Sequence, residues 1–200
     1  MFLLALDTST PVISVALVRN GLVEREASFG EVGGAQMHGE KLAPLIADVM
    51  QGTGFRDLDG IAVGIGPGPY TGLRAGLVTA ETLAHVADLP VFGVSSLDAL
   101  AHGRRRVGVD GPFTVGIDVK RKEYAIATYD EHDHPITGPM LVPAAEAASV
   151  IAVASTPHAA DIALVAIVRA LRGEDQPVVP LYMRHPDATV STAKKSTVQR

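Results

Sequence analysis

The feature that most constrains the fold is a strand that ends in an aspartate and turns into a second strand, because the sequence contains it twice. FLLALDTS passes through Asp7 and is followed by VISVALVRNG, and FTVGIDV passes through Asp118 and is followed by EYAIATYD. An internal duplication is one arrangement that would produce such a repeat. We expect an α/β fold, and 200 residues allow either one large domain or two small lobes with buried cores.

Composition narrows the class of protein. Hydrophobic residues make up 47% of the chain and aromatic residues only 4%, a balance typical of α/β proteins built on aliphatic strands. The lack of cysteine excludes disulfides and cysteine-ligated zinc. A net charge of −5 disfavours a broad nucleic-acid surface, because phosphate binding depends on Lys and Arg. No stretch reaches the roughly 20 apolar residues of a membrane span, so we expect a cytoplasmic protein.

Two helices are predicted in the first lobe. The first begins at Glu40 or Lys41 and has Pro44 near its start, where a missing N–H group is tolerated. Its apolar residues fall on one stripe, namely Leu42, Leu45, Ile46, Val49 and Met50. The second helix is predicted from Gly72 to Ala87, with Thr71 as its N-cap.

The boundary between the lobes is predicted in a stretch rich in glycine and arginine. Ser96 is expected to cap a third helix that leads into this stretch, which runs from His102 to Pro112. We place the first lobe at residues 1–103 and the second at residues 104–183. Residues 184–200 carry four Lys and Arg against one Asp and few large apolar residues, and they are predicted to form a basic, mobile tail.

The turn after the first strand has residue types that could hold a phosphate. In Asp7-Thr8-Ser9-Thr10, hydroxyl and backbone N–H groups could face the anion, while the aspartate holds a Mg²⁺-bound water. The other interpretation is a tight turn in which Asp and Thr side chains accept local hydrogen bonds. The tetrapeptide by itself favours the turn.

The glycine-rich segment from Gly64 to Gly76 only resembles a nucleotide-binding loop. GIGPGPYTGLRAG has Thr71 where both standard phosphate motifs need glycine, and no Gly-Lys-Ser/Thr follows. Its two prolines also lack the N–H groups that a phosphate would bind. Small residues continue at a spacing of four along the predicted helix, which suits either a docking partner or packing on the lobe's own sheet: Gly72, Gly76, Ala80 and Ala84.

No residue pattern indicates catalysis or metal binding. His38 is followed four positions later by Leu42, so the pair of histidines that would bind a metal on a helix is incomplete. His132 and His134 lie in a polar turn, where a solvated surface is the more probable interpretation. No serine lies in a GxSxG motif. The sequence thus predicts no catalytic residue, no metal and no cofactor.

Several motifs, taken in order, resemble one known family. They are LALDTST with ISVAL, HGEKLAPLI, GIGPGPYTGLRAGL, VFGVSSLDALA, IDVKRKEYAIATYD and PLYMRHPDA. The chain resembles the bacterial TsaB (YeaZ-type) family of accessory subunits in tRNA threonylcarbamoyladenosine biosynthesis. The resemblance implies an ASKHA fold, the duplicated architecture of actin, sugar kinases and Hsp70. The second lobe is shorter than is usual for the family, with a region between Ile151 and Pro157 absent.

The resemblance also implies partners. A TsaB-type subunit forms a heterodimer with the catalytic TsaD subunit, works with the ATPase TsaE, and reaches tRNA through the complex. Two helices from each subunit would pack as a four-helix bundle, and without TsaD the same helices would pair two copies of the chain. The implied interface residues are Leu42, Leu45, Ile46, Val49, Gly72, Leu73, Gly76, Leu77 and Ala80. We expect Gly76→Leu to abolish the complex and leave the monomer folded.

In this interpretation the chain is not an enzyme, and a vestigial nucleotide loop remains in Asp7, Thr8, Ser9, Thr10 and Asp118. The alternative is an autonomous actin-like ATPase or phosphotransferase, which would use Asp7, Thr8, Ser9 and Asp118 around Mg²⁺ and phosphates. A third alternative is a peptidase that cleaves its homologous partner. The sequence offers it neither a metal pair nor an activated nucleophile.

Overall fold

The first half of the chain contains a five-stranded mixed sheet. The computed structural model describes residues 1–31, 37–151 and 156–183. The strands of this sheet are Phe2–Asp7 (β1), Ile13–Arg19 (β2), Leu22–Phe29 (β3), Gly60–Gly64 (β4) and Val91–Val94 (β5). They lie in the order β3-β2-β1-β4-β5. The first three are antiparallel neighbours, whereas β4 pairs with β1, and β5 with β4, in parallel.

Local sequence accounts for the antiparallel part of this sheet. Asn20 and Gly21 have φ angles of 50° and 81°, as a type I′ turn between β2 and β3 requires. Because β1 and β4 are parallel, their carboxyl ends meet at one edge, which brings Asp7 next to Gly64. The predicted aspartate turn therefore lies at the edge where α/β sheets bind ligands.

Helices cover both faces of the first sheet. Helices α1 (His38–Val49) and α2 (Tyr70–Ala87) pack on the face that carries Leu4 and Leu6 of β1. Helix α5 (Ala159–Leu171) packs on the opposite face, against the alternate strand residues Leu3, Ala5, Ala16 and Val18. Alternation along β1 and β2 thus supplies two separate cores. Helix α5 belongs to the second predicted lobe, yet it packs on the sheet of the first. The lobe boundary after residue 103 stays a prediction.

The second sheet is smaller and has three antiparallel strands in the order β6-β7-β8. The strands are Phe113–Asp118 (β6), Glu123–Tyr129 (β7) and Pro135–Pro143 (β8), and helix α3 (Ser96–Arg106) packs on β6 and β7. A short helix α4 (Ala144–Val150) follows β8, and a 3-10 turn (Phe55–Asp57) precedes β4. Sequence reasoning missed β8, whose prolines are tolerated because it is an edge strand.

Three predictions of helix starts were wrong in detail. Helix α1 begins at His38, so Pro44 lies within it, on its exposed side, where water can bind the carbonyl that loses its partner. Helix α2 begins at Tyr70 after Pro69, without a side-chain cap, which leaves Thr71 in the first turn. Ser95, rather than Ser96, caps α3 by accepting a hydrogen bond from the Leu97 N–H at 3.3 Å. The predicted tail at 184–200 lies outside the described residues.

Candidate docking surface and phosphate loop

Hydrogen bonds from two serines hold the buried carboxylate of Asp7. Its Oδ1 accepts hydrogen bonds from the Ser9 N–H at 2.9 Å and the Ser9 hydroxyl at 2.6 Å. Its Oδ2 accepts a bond of 2.5 Å from the hydroxyl of Ser96, at the start of α3. The side chain is fully buried, so this pattern is the local turn that the tetrapeptide favoured, closed by a serine 89 residues away.

The threonines of the same loop are also turned inward. Thr8 donates its hydroxyl proton to the carbonyl of Gly72 at 2.8 Å, and Thr10 donates to the carbonyl of Val12 at 3.1 Å. All residues from 7 to 10 are at most 6% exposed. The hydroxyl groups that were candidates for phosphate binding therefore act as internal hydrogen-bond donors.

The glycine-rich segment packs directly on this loop. A Cβ atom at Gly64 would lie 1.9 Å from Oδ2 of Asp7, and one at Gly68 would lie 2.2 Å from the Ser9 carbonyl oxygen. At Gly76 a Cβ would lie 2.3 Å from the hydroxyl of Thr8. All three distances are far below van der Waals contact, so each glycine is required for the approach. The unusual glycine order of the segment serves packing against the Asp7 turn.

Asp118 does not share this arrangement. It is half-buried at the end of β6, and its Oδ1 accepts a hydrogen bond of 2.6 Å from the N–H of Lys120 in the next turn. The structure thus joins Asp7 to Ser9 and Ser96, and it uses Asp118 in a turn of its own.

The residues predicted to form the partner interface lie in the chain's own core. All of them except Leu45, which is half-buried, are buried: Leu42, Ile46, Val49, Gly72, Leu73, Gly76, Leu77 and Ala80. The leucine, isoleucine and valine side chains among them contact the sheet residues of the first core. In the isolated chain this set therefore lies beneath the surface, and its part in a partner interface stays a prediction. The physical reason for the burial is that the sheet packs against the apolar stripe of each helix.

A different set of residues forms the outer face of helices α1 and α2. On α1 it consists of Gly39, Glu40, Ala43, Pro44, Ala47 and Asp48. On α2 it consists of Tyr70, Thr71, Arg74, Val78, Glu81, Thr82, His85 and Val86. Val78 is 60% exposed and Val86 81%, and α1 contributes the small residues Gly39, Ala43 and Ala47 at a spacing of four. This face was not predicted. The i, i+4 spacing of the small residues of α1 can be read from the sequence, but the exposure of Val78 and Val86 cannot.

Asp98 of α3 lies at the centre of a hydrogen-bonded network with Tyr129 and Arg169. The Tyr129 hydroxyl donates to Asp98 at 2.5 Å, and Arg169 donates to the other oxygen of Asp98 at 2.6 Å. Burial, then the charge of Asp98, raises the pKa of Tyr129 far above its ordinary value. This network borders a groove of about 310 Å³ that includes His132 and His134. Since each oxygen of Asp98 accepts a hydrogen bond from a neighbouring side chain, we interpret the network as structural.

The start of α5 is tied to β3 by an ion pair whose strength depends on pH. Nδ1 of His158 lies 3.4 Å from Glu26, which also accepts a hydrogen bond from the Ala160 N–H. The hydrogen bond with Glu26 raises the pKa of His158, with Asp161 adding to the rise and Arg106 opposing it. Burial raises the pKa of Glu26, but the hydrogen bonds from His158, Ala160 and Ser14 outweigh it and leave the pKa below 4.5.

We expect this pair to stabilise the fold most at mildly acidic pH. Glu26 loses its contribution as pH falls through its lowered pKa, and His158 loses its contribution as pH rises through a pKa above 6.5. The difference in unfolding free energy between the wild type and His158→Gln should be largest at about pH 5 to 6.5 and shrink above that range. Urea denaturation from pH 5 to 8.5 measures it. His85→Gln, at an exposed position of α2, is the control, and a difference that grows with pH would contradict the assignment.

Residues 1–31, 37–151 and 156–183 show neither a metal-binding cluster nor a membrane-spanning helix. No group of three or more His, Cys, Asp or Glu side chains is arranged there to hold a metal ion. Among the helices of the same ranges, none has both the length and the apolar character needed to cross a bilayer.

Comparison with known proteins identifies the family. Residues 31–161 match the family model described as TsaD, tRNA N6-adenosine threonylcarbamoyltransferase. An uncharacterized protein of Mycobacterium tuberculosis is 37% identical over 92% of both chains. The tRNA threonylcarbamoyladenosine biosynthesis protein TsaB of Escherichia coli is 33% identical over 68% of this chain and 58% of its own length.

A solved structure agrees with these matches. YeaZ from Pseudomonas aeruginosa superposes with a TM-score of 0.76 and 27% identity, and the match covers 90% of this chain and 99% of that one. The predicted ASKHA fold is therefore confirmed. The relatives, the family model and the fold together show that this chain belongs to the TsaB/YeaZ-type family.

Proposed function

We propose that the chain is an accessory subunit in tRNA threonylcarbamoyladenosine biosynthesis. It forms a dimer with a TsaD-type catalytic subunit, works with a TsaE-type ATPase, and supplies no active site of its own. The name of the Escherichia coli relative and the match to the threonylcarbamoyltransferase model support this role. A cytoplasmic location suits it, because tRNA modification takes place where tRNA is used.

The observation that carries the non-catalytic assignment is the closed phosphate loop. A phosphotransferase of this fold needs hydroxyl and N–H groups that face the nucleotide. Here Asp7 and Thr8 are buried, and their polar atoms bind Ser9, Ser96 and Gly72. The autonomous ATPase alternative is therefore disfavoured. The peptidase alternative lacks a metal-binding group within the described residues.

The proposed docking surface is the outer face of α1 and α2. The family-model match covers residues 31–161, which include α1 and α2, so a TsaD-type subunit would carry related helices and similar faces would meet. Gly39, Ala43 and Ala47 allow a partner helix to approach closely, and Val78 and Val86 supply apolar area. The nine residues implied by the resemblance would then pack beneath this face and fix the positions of the two helices. When the TsaD-type subunit is absent, the same face would pair two copies of the chain.

Reconstitution of the tRNA modification tests the function directly. The reaction contains the TsaD-type and TsaE-type subunits, tRNA, ATP and the threonylcarbamoyl donor, with or without this chain. We expect modification to depend on the chain and to saturate at one copy per TsaD-type subunit. Full modification without it would refute an accessory role.

Calorimetry separates the accessory subunit from the autonomous ATPase. We expect no stoichiometric heat when Mg-ATP is titrated into the isolated chain, because the residues from 7 to 10 are occupied by internal hydrogen bonds. Asp7→Asn keeps the shape of the buried side chain and serves as the comparison. One-to-one binding that Asp7→Asn removes would favour the ATPase.

A further inference from the structure

Two tyrosines and an arginine form an ordered cluster where the last described residues meet α2. Tyr70 is the first residue of α2, and Tyr182 lies near the end of the described chain, with their ring centroids 5.0 Å apart. The guanidinium carbon of Arg74 lies 4.0 Å from the centroid of the Tyr70 ring. Nε of Arg74 donates a hydrogen bond of 3.2 Å to the hydroxyl of Tyr182. Each of the three side chains thus restrains the other two.

The segment that carries Tyr182 is anchored across the ends of β4 and β5. The Gly93 N–H donates to the Gln176 carbonyl at 3.0 Å, and the Leu181 N–H donates to the Ile65 carbonyl at 2.8 Å. A Cβ at Gly93 would lie 2.3 Å from the carbonyl oxygen of Pro177, so the glycine is needed for this approach. The position of Tyr182 is therefore fixed by backbone hydrogen bonds to β5 and to the residue that follows β4.

The cluster continues the outer face of α1 and α2. Positions at a spacing of four along α2 are all exposed: Tyr70, Arg74, Val78, Thr82 and Val86. Tyr70 and Tyr182 are 40% and 39% exposed, so both residues keep surface that a partner can contact. Tyr182 thereby extends the outer face of α1 and α2. It lies 96 positions after Val86, the last of these α2 residues, so no local sequence pattern relates the two.

We propose that the Tyr70, Arg74 and Tyr182 cluster is an anchoring site for the TsaD-type subunit, so that the C-terminal segment forms part of the docking surface. This inference rests on the proposed function. Tyrosine and arginine are enriched among the residues that dominate interface energies. Side chains that already restrain one another lose less conformational freedom on binding. The charge of Arg74 indicates that the partner presents a carboxylate beside an apolar patch.

An unpaired RNA base is the other occupant that such a cluster could take. It is disfavoured because the Arg74 guanidinium already lies over the Tyr70 ring, where a base would stack. The net charge of −5 also provides little attraction for phosphate.

The test measures the affinity of the full-length chain for the purified TsaD-type subunit. Tyr182→Ala should weaken binding about thirtyfold, the usual loss for a tyrosine that anchors an interface. Arg74→Ala should weaken it to a similar extent, and the double variant should lose less than the two losses multiplied, because the side chains act together. Val179→Ala is the matched control, since Val179 is 60% exposed on the same segment but lies outside the cluster. Thermal unfolding of each variant shows whether the fold is retained.

The outcomes distinguish this inference from the proposed function. If Val78→Asp abolishes binding while folded Tyr182→Ala and Arg74→Ala bind as the wild type does, the anchoring site is refuted and the accessory role stands. If the wild type does not bind the TsaD-type subunit, both are refuted. Unchanged subunit binding by Tyr182→Ala together with weaker binding of tRNA would overturn the inference in favour of RNA.

Discussion

Replacing Val78 by aspartate is expected to abolish the complex with the TsaD-type subunit and, with it, the reconstituted tRNA modification. Val78 lies in the middle of the exposed positions of α2 and is 60% exposed. An aspartate there is harmless in the free chain, but in a complex its charge would be buried without a partner. We expect affinity to fall at least about a hundredfold. Size-exclusion co-elution and titration with the labelled TsaD-type subunit measure the loss.

The control for this experiment is the same substitution on another surface. Leu171 is 81% exposed at the end of α5, so Leu171→Asp also exchanges an exposed aliphatic residue for a charge. It should leave the complex intact. Co-elution of Val78→Asp at wild-type strength would refute the outer face of α1 and α2 as the docking surface. Equal loss by both variants would show that the effect is not local.

Gly76→Leu is expected to unfold the chain rather than to block a partner, which corrects the expectation from the sequence. A Cβ at this position would lie 2.3 Å from the Thr8 hydroxyl and 3.4 Å from Leu6. Thr8 cannot move away freely, because it is buried and donates to the Gly72 carbonyl. We expect the free energy of unfolding to fall by about 4 kcal/mol or more, a large part of the stability of an ordinary domain.

Urea denaturation followed by circular dichroism measures this loss. The matched control is Thr82→Leu, which adds the same side chain to an exposed position of the same helix and should change stability by less than about 1 kcal/mol. A Gly76→Leu chain that folds with wild-type stability would show that the loop does not pack on α2 as described. Loss of partner binding by such a folded chain would restore the original expectation.

Local sequence accounts for some features of the fold. The β2–β3 hairpin follows from Asn20 and Gly21, and the end of α5 follows from Gly173, which has a φ of 68°. The duplicated strand, aspartate and turn indicated the fold class that the structural match confirms. Each of these signals lies within a few residues of the feature it specifies.

The sequence could not decide between the two faces of α2. The stripe of Gly72 and Gly76 suits a partner helix and the lobe's own core equally well, because both need a close approach. In the structure the stripe packs on the chain's own Thr8, which is 64 residues from Gly72 in sequence and hydrogen-bonds to its carbonyl. Likewise, the Tyr70 and Tyr182 contact joins residues that no local pattern relates. Contacts of this range depend on the assembled fold.

The position of α5 has a consequence for how the chain is made. The face of the first sheet that carries Leu3, Ala5, Ala16 and Val18 is covered by residues 159–171. During synthesis this face therefore emerges from the ribosome long before helix α5 does. In the interval the exposed apolar face can bind chaperones or aggregate. A fragment that ends before α5 would keep that exposure permanently. Expression of the first lobe by itself should therefore yield insoluble material.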